Sequence, residues 1–163
     1  MISISPSKSA DNRSVKSGIT KAELLEASRQ HIGDVFKAMH FFADKIHDSG
    51  FAHDYTKVDE AGIDAFYDSF SRGVKNDEFK AEPWYQRHIT EERHHVKDRC
   101  PEDVNLIDIL EHIADIVMAG LGRNGEVYPD KLPPELLEKA YQNTITMLIK
   151  NTVIVGGSDD PFA

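Results

Sequence analysis

Cysteine is almost absent from this 163-residue chain: Cys100 stands alone. No internal disulfide can form, the expected compartment is a reducing one, and any bound metal must be held by nitrogen and oxygen. Long apolar runs are missing too. The most apolar stretch, Leu106 to Leu121, is interrupted by Asp108, Glu111, His112 and Asp115, which leaves nothing near the roughly 20 residues that cross a bilayer. The Ser-, Lys- and Asn-rich N-terminal residues offer no apolar core of the length a secretory signal needs, so the expected location is cytoplasmic. Basic residues are scarce: 19 Lys+Arg stand against 28 Asp+Glu, a net charge of −9. That balance argues against a nucleic-acid polymer as partner, because such binding comes from neutralising phosphates. A small anionic substrate stays open, since a local cation or a metal overrides the global sign. No Gly-rich phosphate loop of the Walker type occurs, and no stretch of six or more residues alternates with period two.

What is present is helical periodicity. At 40% apolar and 29% charged residues, the chain suits one globular domain with its own core. Residues 1 to 18 are polar and without period, and read as a tail. Thr20 and Glu23 form a capping box. Beyond it Leu24, Leu25, Ala27, Ile32, Val35, Phe36, Met39, Phe42 and Ile46 recur at three- and four-residue intervals, which predicts one amphipathic helix to about Asp48, ended by Gly50. Phe51 to Asp59 reads as a turn opening a second helix over 60–72. A loop near Lys75 to Asp77 then leads to a third helix from Pro83 through His95. A fourth opens at Pro101 and is released by Gly120, Gly122 and Gly125, and a last runs from Pro133-Pro134 to Ile149. Thr152 to Val155 reads as an extension of that helix or a frayed end, and 156–163 as a loose tail. The expected fold is all-α, a single-domain bundle of about five helices over 19–155.

The unusual feature is histidine. All eight lie between positions 31 and 112. His31 sits on the stripe shared by Ala27, Val35, Ala38 and Phe42, and alone it reads as a hydrogen-bonded core residue. His53-Asp54 follows the Gly50 break, where adjacent imidazole and carboxylate can face one ion. Asp108, Glu111, His112 and Asp115 then fall at i, i+3, i+4 and i+7 on the fourth helix. For Asp108 and His112 a solvated face explains this spacing as well. Asp115 differs, because Ile113, Ala114, Ile116, Val117 and Met118 surround it, and a carboxylate in such company is costly to bury unless paired or bound to metal. The His88 to His95 run (HITEERHH) puts His88, Glu91 or Glu92, and His95 on one helical face. That face reads as a second ion site, as the source of a general acid (His88, His94 or His95), or as a surface salt-bridge ladder.

The ordered set His31, His53-Asp54 and Asp115 on an all-α chain resembles the HD superfamily of metal-dependent phosphohydrolases. His53-Asp54-Tyr55-Thr56-Lys57, Trp84 shortly before His88, the pair His94-His95, and Glu111 four residues before Asp115 resemble more closely a family of small uncharacterised phage and bacterial proteins with an His-Asp-x-x-Lys motif. The resemblance covers roughly residues 28 to 120. His40 is a less natural placement for its first histidine, and Ile89 to Arg93 depart from the usual pattern between the later ones.

The resemblance implies hydrolysis of a phosphoester, with a nucleotide as substrate class and, for a phage-encoded chain, the host cytoplasm as location. It implies one or two divalent ions per chain, drawn from Mn, Fe, Co, Ni, Zn and Mg, which mixed imidazole and carboxylate ligands suit. His31, His53, Asp54 and Asp115 would hold the first ion, with His88 and His95 toward a second. Asp54, Lys57, His88 and His94 would be the catalytic residues: Lys57 stabilises the transferred phosphoryl group, and a histidine protonates the leaving oxygen. Trp84 and Tyr85 read as core aromatics or as surfaces for a stacked base. The last helix either pairs two copies in a homodimer or closes the core. From another class comes a metal-stapled helical binding protein, such as a phage accessory or host-interaction protein, without turnover. A helical interaction protein with no metal is the third reading.

Overall fold

A capping box starts the first helix where the sequence places it: the Thr20 amide donates to Glu23 Oε2 (2.8 Å) and the Glu23 amide to Thr20 Oγ1 (3.2 Å). The computed structural model of the chain describes residues 1–6 and 18–155; the expected tail segments 7–17 and 156–163 lie outside them. The elements are β1 (Ile2–Ile4), α1 (Lys21–Ala52), α2 (Tyr55–Val58), α3 (Glu60–Ser71), α4 (Asn76–Ala81), α5 (Pro83–Glu91), α6 (Leu106–Asn124), α7 (Pro134–Lys150) and β2 (Thr152–Ile154). The fold is all-α. Among the described residues, five longer helices carry it, and α2 and α4 occupy segments expected as turn and loop. No described helix is long and apolar enough to cross a membrane.

Several boundaries differ from expectation for local reasons. α1 runs through Gly50, and the chain turns only at Asp54, whose φ of 60° is left-handed; one glycine inside a long helix lowers its stability without ending it. α6 starts at Leu106 and not at Pro101, because Asn105 caps it: Asn105 Oδ1 accepts from the Ile107 amide (2.9 Å), and Asp108 Oδ2 accepts from the Asn105 amide (2.9 Å). It passes Gly120 and Gly122 and stops at Gly125, which takes a φ of 76°. α5 stops at Glu91, so HITEERHH is not one helix. Residues 2–4 of the expected tail are a strand, paired in parallel with Thr152–Ile154, so the latter neither extends α7 nor frays; these segments are rich in β-branched residues that favour extension.

The chain divides into two units, Met1–Asp44 with Ile145–Ala163, and Lys45–Thr144. In the first, Lys37 Nζ donates to the Ser3 carbonyl (2.9 Å) beside the strand pair. α1 buries only Ala27, while Leu24, Leu25, Ile32, Val35, Phe36 and Met39 of its apolar stripe are exposed. The second unit holds a core of Val96, Val104, Ile109 and Ala140, with Leu106, Leu132 and Leu136 packed against it. There α3 and α5 are locked by the Trp84 indole N–H donating to Ser69 Oγ (2.7 Å), whose hydroxyl donates to Glu82 (2.8 Å).

Close packing of α3 on α2 depends on Gly62. A Cβ built there would lie 1.8 Å from the Thr56 carbonyl oxygen. Gly62→Ala is therefore expected to cost about 2 kcal/mol through overpacking, read as a melting temperature lower by about 5 °C; an unchanged melting temperature would mean that α2 and α3 are not in contact.

Candidate metal centre

Asp54 occupies the N-cap position of α2, where an aspartate ordinarily turns back to accept an amide of its own helix. Here its side chain makes no capping bond. One oxygen, Oδ2, accepts from Lys57 Nζ (2.6 Å). The other, Oδ1, is buried and has no hydrogen-bond partner among the described residues. His88 Nε2 stands 3.5 Å from it and His94 Nε2 3.7 Å. His53 Nε2 is 3.7 Å from Asp54 Oδ2 and 3.7 Å from Asp115 Oδ1. These gaps are too long for hydrogen bonds. Two ligands about 2.1 Å from one ion, at octahedral or tetrahedral angles, sit about 3.0 to 3.4 Å apart, so the donor set has nearly the spacing that a shared cation requires.

The imidazoles are oriented from behind. Glu111 Oε1 accepts from Nδ1 of both His53 (2.9 Å) and His94 (3.0 Å), and Ser49 Oγ donates to Oε2 (2.5 Å). A carboxylate only accepts, so both Nδ1 atoms carry hydrogen and the Nε2 atoms face Asp54 and Asp115. His88 is held by the same logic. The Thr56 hydroxyl donates to Glu92 Oε1 (2.7 Å) and accepts from His88 Nδ1 (2.7 Å), which leaves Nε2 of His88 bare. That Nε2 meets His95 Nε2 at 2.8 Å, a separation that needs one proton or one cation between two lone pairs. His88, His94 and His95 form one group able to hold a metal ion, and His53, His94 and Glu111 another. In the second group the Nδ1 hydrogens already fill the space before Glu111, so the Asp54 side of the same rings is the better ion position.

No protein-family model, curated protein or solved structure matches this chain. The functional reading therefore rests on the geometry of these side chains.

Of the residues singled out in the sequence, His53, Asp54, Lys57, His88, His94, His95 and Asp115 stand together. His31 belongs to the first unit, where it is exposed; within the second unit the histidine that completes the set is His94. His88 and His95 meet because the chain turns after α5, not because they share a helical face. Asp108 and His112 are not on a solvated face either. Asp108 is buried under the Arg93 guanidinium, with two bonds of 2.8 Å. His112 Nδ1 donates to the His94 carbonyl (3.0 Å) and so fixes the backbone of His94, while its Nε2 stands 3.0 Å from Asp130 Oδ2. Glu111, Thr56, Glu92 and Ser49 were not anticipated as supports. The signal available for Glu111 was its i,i+4 spacing from Asp115 on one helix.

Electrostatics follow from these contacts. Asp115 beside the ring and then Glu111 raise the His53 imidazole to about 10, against the pull of burial. The facing His53 ring in turn takes Asp115 down to about 2. Burial alone would raise Glu111, but the bonds from His53, His94 and Ser49 outweigh it and hold the carboxyl well below the usual range. Burial, helped by Lys57 and His95, pushes His88 down to about 3, and burial likewise lowers His95. His88 and His95 are thus uncharged near pH 7.

Two outcomes are expected. Without metal, His53 contributes stability that is fully present below about pH 6.5 and fades as pH rises toward about 10. A cation must displace that proton, so Mn²⁺ affinity measured by titration calorimetry should rise with pH between 6 and 9, by up to about tenfold per unit, with proton release; a flat profile would remove His53 from the ligand set. Glu111→Ala leaves every ion-facing atom in place but removes the acceptor behind both rings, and should weaken Mn²⁺ binding about 10- to 100-fold.

Proposed function

We propose that the chain is a metal-dependent phosphohydrolase acting on a small phosphoester, with a nucleotide as the substrate class that the resemblance to HD hydrolases implies. The observation that carries this reading is Asp54 Oδ1: a carboxylate oxygen out of water, with no donor, and ringed by imidazole nitrogens. Such an atom is expensive unless a cation meets it. The backbone adds support, since Asp54 holds a left-handed conformation of the kind that recurs where a side chain must be aimed. His53, Asp54, His94 and Asp115 would hold one ion, and His88 with His95 adjoin a place for a second. Mixed nitrogen and oxygen ligands suit Mn, Fe, Co, Ni, Zn or Mg.

A divalent cation held there supplies Lewis acidity, activating water near neutral pH and offsetting charge on phosphoryl oxygens. The chain's own groups do the rest. Lys57 keeps its ammonium at the edge of the cluster through Asp54, placed to share its charge with an incoming phosphoryl oxygen. Glu111 and Thr56 fix which nitrogen of each ring faces inward.

Asp54→Asn tests this reading. Metal content by elemental analysis should fall from about one ion per chain toward zero. Phosphate release from a nucleotide panel with added Mn²⁺ should drop by at least about 100-fold, with the helical circular dichroism kept. Unchanged metal-dependent turnover would overturn the assignment. Wild-type protein that holds metal yet releases no phosphate would favour the structural ion of a binding protein.

A further inference from the structure

The cluster forms one end of a larger space. A cavity of about 340 Å³ opens beside it, with Lys57, His88, His95 and Asp115 in its wall; this size is that of a small-molecule site. One side is a strip of α6, where Asp115, Ile116, Ala119 and Arg123 all line the cavity. From Asp115 to Arg123 the helix climbs about 12 Å. The lining also includes Phe79, Trp84 and Tyr85, whose rings are packed edge to face or tilted, with centroids 5.2 Å apart for Phe79–Trp84 and 5.8 Å for Trp84–Tyr85. The Trp84 ring is further fixed by its bond to Ser69. These are flat surfaces held by mutual packing, and Tyr128, five residues after Arg123, adds another.

Arg123 is the unusual member. Arg72, Arg87 and Arg93 each pair with carboxylates. Arg123 is exposed and has no hydrogen-bond or ion-pair partner among the described residues, although it lines the cavity. A guanidinium offers five donors and matches a carboxylate or carbonyl edge in its own plane. A cavity with a cation at each end and aromatic walls between them suits a ligand with an acceptor at each end and a ring in the middle.

We propose that Arg123 is a specificity-determining residue: the cavity takes an aromatic ring whose reacting phosphate lies at the Lys57 end and whose opposite edge presents a carboxylate or carbonyl acceptor to Arg123. The phosphate end of this inference rests on the phosphohydrolase reading. The ring and its acceptor edge rest on the cavity alone.

Trp84 is the sole tryptophan and lines the cavity, so its fluorescence reports occupancy directly. The probes are phenylphosphonate and 4-carboxyphenylphosphonate, titrated into the full chain with Mn²⁺ at fixed concentration; their C–P bonds read binding without turnover. The carboxylated probe is expected to bind about tenfold tighter, as a charge-assisted bond allows. Arg123→Gln should erase that preference while leaving phenylphosphonate affinity unchanged. Equal affinities in the wild type, equal weakening of both probes in the variant, or no change in Trp84 emission would each overturn the proposal. Turnover of 4-carboxyphenyl phosphate is measured in parallel. Its absence with the binding preference intact removes the hydrolase reading and leaves the subsite, whereas turnover without the preference removes the subsite alone.

Discussion

The arrangement of the site depends on one carboxylate that faces away from the ion position. Glu111 takes the Nδ1 hydrogens of His53 and His94 on a single oxygen, and with that both rings lose the freedom to flip or change tautomer. An imidazole left to itself presents either nitrogen. Two of them bound to a common acceptor present the same nitrogen toward the same point, and that agreement makes histidines from separate segments able to hold one ion. α6 therefore contributes twice: Glu111 sets the rings and Asp115, one turn on, faces what they offer.

The second unit tolerates so many polar side chains away from water because almost all of them are satisfied. His88, His94, Glu92, Asp108 and His112 are buried, yet each has partners: Thr56 for His88 and Glu92, Glu111 for His94, Arg93 for Asp108, Asp130 and a backbone carbonyl for His112. A partly satisfied network is less stable than an apolar core, whereas a complete one specifies a single arrangement. Against that background the unmet oxygen of Asp54 stands out. Among the described residues it is the buried side-chain oxygen that this network leaves without a partner.

Much of this was legible in the sequence and some was not, for reasons specific to particular residues. Period 3.6 identified the helices, and the Thr20–Glu23 box and Pro134 marked two starts, because those signals are local. Asp115 stood out by its apolar company. Gly50 misled, since a glycine ends a helix only where the following chain needs it to. His31 misled because spacing along an apolar stripe does not guarantee burial, and its side chain is exposed. The turn after Glu91 depended on Glu92 reaching Thr56, a contact between segments 36 residues apart. No window of sequence short enough to show periodicity contains it. The supporting residues were harder to see than the ligands for the same reason: Ser49, Thr56 and Glu92 are ordinary in composition and acquire meaning only through what they touch.

Asp54 is at once the corner where the chain leaves α1 and the acid at the centre of the cluster. Its left-handed backbone suits aspartate, asparagine and glycine and penalises most other residues. The two duties narrow the alphabet differently: shape admits three residue types, and charge admits only one of those three. Replacement by alanine would thus strain the bend and delete the anion together, whereas glycine would keep the bend and lose only the anion.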